Sequence, residues 1–297
     1  MAEPQTPQPW WNRDSVRGSR ALILSSLAFS LMTVCVKQLG GRIPVSEIVL
    51  VRSVVSIALT GTAMALGGIN PLGSNRRLLL LRGICGSIAL LCFFEAITSL
   101  PLASATVLQY TYPTFTAGAA WLLLGERLRR RIGIAVVMGW IGVVMVIEPE
   151  WLGAGQVGLA VQPAMAALGG ALFTALAYVC VRRLSTKEHP LVIILYFPLV
   201  SIPLTLPMVI RDGVWPLGLD WAWLLGVGVL TQLGQIWVTK GLSCLPAARA
   251  TSLNYVQVLF AASWGWIWFN ETITAFTCIG AALVLSASII SLSSRQP

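Results

Sequence analysis

The sequence predicts an all-α integral membrane protein of ten transmembrane helices, arranged as two inverted five-helix repeats. Three observations carry this reading. Apolar residues make up 56% of the 297 and charged residues only 10%, against roughly 25% charged in a soluble domain. The apolar residues fall in runs of about 20, the length that crosses a hydrocarbon core. The second half of the chain also repeats landmarks of the first at one constant offset.

Composition excludes several function classes. A soluble chain of this length could not cover its surface with so few charges, a requirement that lipid removes. A net charge of +9 would raise the question of nucleic acid in a soluble protein. Here the basic residues lie between apolar runs, where they fix orientation, and no nucleic-acid partner is expected. The six cysteines (Cys35, Cys85, Cys92, Cys180, Cys244 and Cys278) all fall inside apolar segments without a C-x-x-C pair. They read as small packing residues rather than a disulfide framework or zinc site. His189 is the only histidine, which rules out a multi-histidine cluster. No G-x-S-x-G, Walker A or G-x-G-x-x-G motif is present, so neither an enzyme nor an ATP-driven pump is expected, and no cofactor or metal.

Residues 1–18 are polar and proline-rich and predict a disordered cytoplasmic tail. The apolar stretch after Arg20 lacks a small-x-small cleavage site and reads as a retained first helix. Expected spans are 20–37, 47–66, 78–99, 103–124 and 131–148, then 160–181, 190–210, 219–241, 247–269 and 275–293. Breaks such as Gly67-Gly68-Ile69-Asn70-Pro71 and Arg211-Asp212-Gly213 separate them. Residues 19–148 then form the first five-helix repeat and 160–293 the second, together one functional domain. Trp10, Trp11, Trp151, Trp215, Trp221 and Trp223 cluster near predicted helix ends, as an interfacial belt requires.

Positive charges are strongly asymmetric. With the N-terminus inside, the inner segments hold Arg13, Arg17, Arg20, Arg76, Arg77, Arg127, Arg129, Arg130, Arg131, Arg182, Arg183, Lys187, Arg249 and Arg295. The outer loops hold Arg42 and Arg211, with Lys37 at a helix end. This bias predicts a multi-pass protein of the cell inner (plasma) membrane with both termini cytoplasmic. Lys37 is the exception, expected either to snorkel outward or to face an aqueous cavity.

Shifting the sequence by 145 positions aligns Val34-Cys35-Val36-Lys37 with Val179-Cys180-Val181-Arg182, and Leu100-Pro101 with Leu245-Pro246. The same shift places Ala105-Thr106 on Ala250-Thr251, Tyr110 on Tyr255, Trp121 on Trp266 and Glu126 on Glu271. Five helices per unit is an odd number, so the second copy enters the membrane from the opposite side. Inverted repeats of this kind set a site near the midplane, reachable from either face.

At these residues the sequence resembles the EamA-type branch of the drug/metabolite transporter superfamily. The carriers of the resemblance are Val51-Arg52-Ser53, Ser99-Leu100-Pro101-Leu102-Ala103-Ser104-Ala105-Thr106 and the turn Leu124-Gly125-Glu126-Arg127. Second-half echoes are Cys244-Leu245-Pro246-Ala247-Ala248-Arg249-Ala250 and Asn270-Glu271. The resemblance covers the chain after its tail. It implies a central cavity lined largely by helices three, four, eight and nine, and transport of metabolites such as amino acids, organic acids or nucleotide derivatives, without choosing among them. The expected function is secondary transport of small organic metabolites, amino acids or organic anions above all. The expected partners are the solute and the lipid bilayer, with coupling to protons or a counter-solute left open, for a monomer or homodimer. The competing classes are a membrane assembly factor or intramembrane enzyme, and a passive channel.

Charges inside the membrane cost on the order of 3 kcal/mol each by insertion scales and therefore call for a partner or a task. Arg52 lies near the outer end of helix two and Glu95 near the outer end of helix three. They read either as an ion pair or as solute-binding groups, with Glu95 also able to hold a coupling proton. Lys240, the shifted counterpart of Glu95, belongs near the inner end of helix eight. Two polar layers follow: Gln109, Tyr110 and Tyr112 outside, and Asn254, Tyr255, Gln257 and Tyr178 inside. Gln232, Gln235 and Trp237 add to the candidate substrate-binding set from helix eight, where a spacing of three puts both glutamines on one face. Glu126 and Glu271 read as structural, each placed to favour a positive helix end.

Overall fold

The computed structural model describes residues 13–112, 115, 130–147, 161–184, 187–244 and 256–293. Among them the chain forms ten helices: α1 (Arg13–Leu39), α2 (Val45–Leu66), α3 (Arg76–Ser99), α4 (Leu102–Gln109), α5 (Arg130–Ile147), α6 (Val161–Leu184), α7 (Pro190–Asp212), α8 (Asp220–Cys244), α9 (Val256–Phe269) and α10 (Ala275–Ser293). Segments of α1, α2, α3, α6, α7 and α8 are long and apolar enough to cross a membrane. Large apolar side chains such as Leu59, Ile134, Val137, Ile210 and Leu259 lie on the outer surface. In water such a surface would aggregate, whereas in lipid it is solvated.

Local chemistry sets the helix ends. Leu100 is extended because it precedes Pro101, and Pro101 in turn opens α4. Asn75 caps α3 by accepting from the Leu78 amide at 3.3 Å, which satisfies one of the free amides of the first turn. Pro71-Leu72-Gly73 ahead of α3 and Pro216-Leu217-Gly218 ahead of α8 are the same tripeptide at the 145-residue offset. Gly73 and Gly218 both adopt positive φ, 60° and 51°. That conformation, open to glycine, lets the chain reverse before each helix.

Helix pairings recur at the same offset. α1 packs on α8 as α6 packs on α3, α2 on α8 as α7 on α3, and α1 on α9 as α6 on α4. The pairs α2–α7, α4–α9 and α5–α10 each join a helix to its own counterpart. Individual contacts follow suit. Ser56 Oγ donates to Gln232 Oε1 at 3.3 Å between α2 and α8, and the equivalent positions, Ser201 and Ser87, meet at 2.6 Å between α7 and α3. Ser25 Oγ donates to the Gly234 carbonyl. At the equivalent positions, Gly170 lies against the Ala89 carbonyl. The core is built from fully buried Leu39, Ile48, Phe94, Ile97, Leu102, Leu108 and Leu224.

Lys37 finds its partners within the bundle. It forms an ion pair with Glu271 and donates to the Leu100 carbonyl at 2.6 Å. The other Glu271 oxygen accepts from the Leu102 amide at 2.8 Å. Glu271 therefore favours the start of α4 rather than the helix that follows it in sequence. Asn270 has a φ of 49° and ends α9 in the left-handed region. This turn brings the Glu271 amide back to the Gly265 carbonyl. Glu126 lies outside the described residues.

Candidate functional site

Three helices converge on one aromatic ring. Arg52 of α2 and Arg82 of α3 each hold the guanidinium carbon 4.8 Å from the centroid of Phe197 on α7. At the 145-residue offset Arg52 falls on Phe197, so two equivalent positions touch. Arg52 is 4% exposed and donates through Nε to Thr231 Oγ1 of α8 at 3.2 Å. Thr231 in turn donates to the Val227 carbonyl. Arg52 Nη1 and both Arg82 Nε and Nη1 are buried and have no hydrogen-bond partner. A buried donor left unsatisfied costs on the order of 1–3 kcal/mol, and more for a charged group.

The ring makes this burial tolerable. A guanidinium over an aromatic face gains on the order of 1–2 kcal/mol when desolvated. Gly86 supplies the room, since a Cβ there would come within 2.9 Å of Arg82 Nη1 and 3.0 Å of Phe197 Cδ2. Arg82 was absent from the candidates drawn from sequence, although its signal was present: an arginine six residues past Arg76, inside an apolar run.

A belt of amides and phenols continues from the arginines. Tyr178 of α6 is 51% exposed, within electrostatic reach of Arg82, and stacks on Tyr112 with centroids 5.3 Å apart and planes 9° from parallel. Tyr112 lies 5.9 Å from Tyr110, whose hydroxyl donates to Gln257 Oε1 of α9 at 3.2 Å. Gln109 donates through Nε2 to Thr174 Oγ1 at 2.9 Å and leaves Oε1 buried without a partner. The two polar layers expected from sequence therefore join among the described residues, because Tyr178 meets Tyr112 and Gln257 meets Tyr110.

Other candidates fall elsewhere. Glu95 is exposed on α3 and forms no ion pair with Arg52, whose neighbours are Thr231 and Phe197. Gln232 is 8% exposed and spends both ends of its amide on α2, accepting from Ser56 and donating to Thr60 Oγ1 at 3.3 Å. Gln235 and Trp237 are half-buried on α8. The backbone of Lys240 lies in α8 but its side chain is outside the described residues, as are Asn254 and Tyr255 altogether.

The geometry can be set beside known proteins. Residues 17–148 and again 162–293 match the EamA-like transporter family. The Pseudopaline exporter CntI of Pseudomonas aeruginosa is 32% identical over 268 residues, covering 90% of this chain and 93% of that protein. Solute carrier family 35 member G1 of Homo sapiens is 30% identical over 77% of this chain and 65% of its own length. An S-adenosylmethionine uptake transporter of Rickettsia prowazekii is 23% identical, with 92% of each chain covered. A solved crystal structure superimposes with a TM-score of 0.63 at 20% identity, covering 93% of this chain and 95% of that one, which speaks for the fold alone. Two matches 145 residues apart span the same stretches as the recurring helix pairings, and on that ground the chain belongs to the EamA-like transporter family.

Proposed function

We propose that the protein is a secondary transporter that carries a small organic metabolite, an amino acid or organic anion, across the inner membrane by alternating access. The observation that carries this reading is the contact between Arg52 and Phe197, equivalent positions of the two halves. Equivalent residues touch only near the axis that relates their halves. With five helices per half the second is inverted, so this axis lies in the membrane plane and a site upon it is equally far from both faces. The paired helices α2–α7, α4–α9 and α5–α10 then flank the axis, and rocking one half against the other exposes the site to one side at a time.

Arg52, Gln109, Tyr110, Tyr112, Tyr178 and Gln257 form the solute-facing belt in this reading, while Gln232 ties α8 to α2. Both termini are cytoplasmic, and protons or a counter-solute supply the driving force. One relative is named an exporter and another an uptake transporter, so direction follows the gradients rather than the fold. The test is counterflow in proteoliposomes. A carrier accelerates entry of labelled solute when unlabelled solute fills the lumen, whereas a passive pore does not. Arg52→Ala should abolish counterflow while the protein still elutes as a folded species from the membrane fraction; undiminished counterflow would remove Arg52 from the site.

A further inference from the structure

Arg52, buried, and Arg82, half-buried with Nε and Nη1 enclosed, are two cations in search of negative charge. The described carboxylates are engaged elsewhere or distant. Glu47 accepts from the Val214 amide, Glu188 from Ser74 and Asn75, and Glu271 binds Lys37. Asp220 pairs with Arg42, and Asp212 with Arg211. Glu95 stands exposed on α3, more than three helical turns beyond Arg82. Neither arginine near Phe197 belongs to a salt bridge among the described residues, and three of their nitrogens have no acceptor.

We propose that Arg52 and Arg82 form the two poles of a site for an organic dicarboxylate, with the Phe197 ring in contact with both. This rests on the transporter reading only in taking that dicarboxylate to be cargo. Both guanidinium carbons lie 4.8 Å from one centroid, so they are no more than about twice that distance apart. Each guanidinium has donors of its own left without a partner, Nη1 of Arg52 and Nε and Nη1 of Arg82, so each can take a carboxylate. Two carboxylates joined by a short aliphatic chain answer both cations, each taking charge-assisted hydrogen bonds from one guanidinium, with the chain beside the ring. Both cations come from the first half, since the position equivalent to Arg82 is Val227. The site is therefore polar at Arg52, Arg82 and Thr231 and apolar along Phe197, as a diacid requires. Arg82 is half-buried and within electrostatic reach of Tyr178.

The test is equilibrium binding to the purified full-length protein in detergent, with succinate, glutarate and adipate against butyrate and inorganic phosphate. At least one diacid should bind tenfold or more tighter than butyrate and phosphate. Arg82→Gln should weaken that diacid by ~30-fold or more, the scale of removing one partner of a buried charged pair, and leave butyrate within about threefold because Arg52 remains. Diacids no tighter than butyrate or phosphate would overturn the proposal, as would an Arg82→Gln protein with unchanged diacid affinity. The comparison among ligands needs only the unaltered protein, so a poorly folding variant does not shield the proposal. Diacid binding without counterflow would remove the transport reading and leave the site standing. Counterflow of an uncharged or cationic solute with no diacid binding would do the reverse.

Discussion

Lys37 at the end of α1 and Glu271 ahead of α10 form an ion pair whose side chains are 16% and 12% exposed. The pair joins three parts of the chain, because Lys37 also bonds Leu100 and Glu271 also bonds Leu102. Removing one partner leaves a largely buried charge with nothing to balance it. Glu271→Gln and Lys37→Met should each destabilise the protein by about 3 kcal/mol. The double variant should lose less than the two single losses added together. Thermal unfolding in detergent measures all three, and full additivity would mean that the two side chains act independently.

Two glycines three residues apart on α3 should respond differently to alanine. At Gly83 a Cβ would come within 2.8 Å of the Tyr196 carbonyl and 2.6 Å of Val200 Cγ2. Backbone cannot swing aside, so Gly83→Ala should separate α3 from α7 and cost about 1–3 kcal/mol. At Gly86 the nearest atom is the end of the Arg82 side chain. Gly86→Ala should therefore cost less than about 1 kcal/mol in stability, because a long side chain can yield, while solute affinity falls more than tenfold. Melting temperature read beside solute affinity separates the two outcomes.

Glu188, between α6 and α7, clamps the start of α3. Its Oε1 accepts from the Ser74 hydroxyl at 2.5 Å and from the Ser74 and Asn75 amides at 2.7 Å each. These bonds, the Ser74 hydroxyl foremost, hold the carboxyl below its ordinary value. A depressed folded-state value contributes stability that is present above the ordinary carboxylate range of about 4.3 and lost as pH falls through the folded value. Glu188→Gln should flatten the acid limb of the stability profile and leave its alkaline limb unchanged. Unfolding followed from roughly pH 3 to roughly pH 8, a range that brackets the carboxylate value, would reveal this.

Glu95 is exposed and has no ion pair among the described residues. Glu95→Gln should leave stability within about 0.5 kcal/mol, as for a surface substitution. If Glu95 carries the coupling proton, the same variant moves the pH profile of counterflow. An identical profile in both proteins assigns the proton elsewhere.

Much of this molecule was legible before folding was considered. The membrane class follows from apolar runs of spanning length, since lipid tolerates only backbones that bond internally. The repeat was visible because equivalent positions keep similar residues, as in Leu100-Pro101 and Leu245-Pro246. Candidate polar residues stood out because each is costly in an apolar run.

Contacts were decided by the tertiary structure alone. Sequence proposed Arg52 beside Glu95 from similar depth, but Arg52 shares the Phe197 ring with Arg82, which lies more than three helical turns from Glu95 along α3. Packing of α2 on α7 and α8 turned Arg52 toward Phe197 and Thr231. The same packing joined Lys37 to Glu271 and Tyr110 to Gln257, pairs far apart in the chain that no local pattern couples. Hydrophobic periodicity tells a helix that it must be buried. Which charge it meets there depends on the rotation and neighbours that only the assembled bundle supplies.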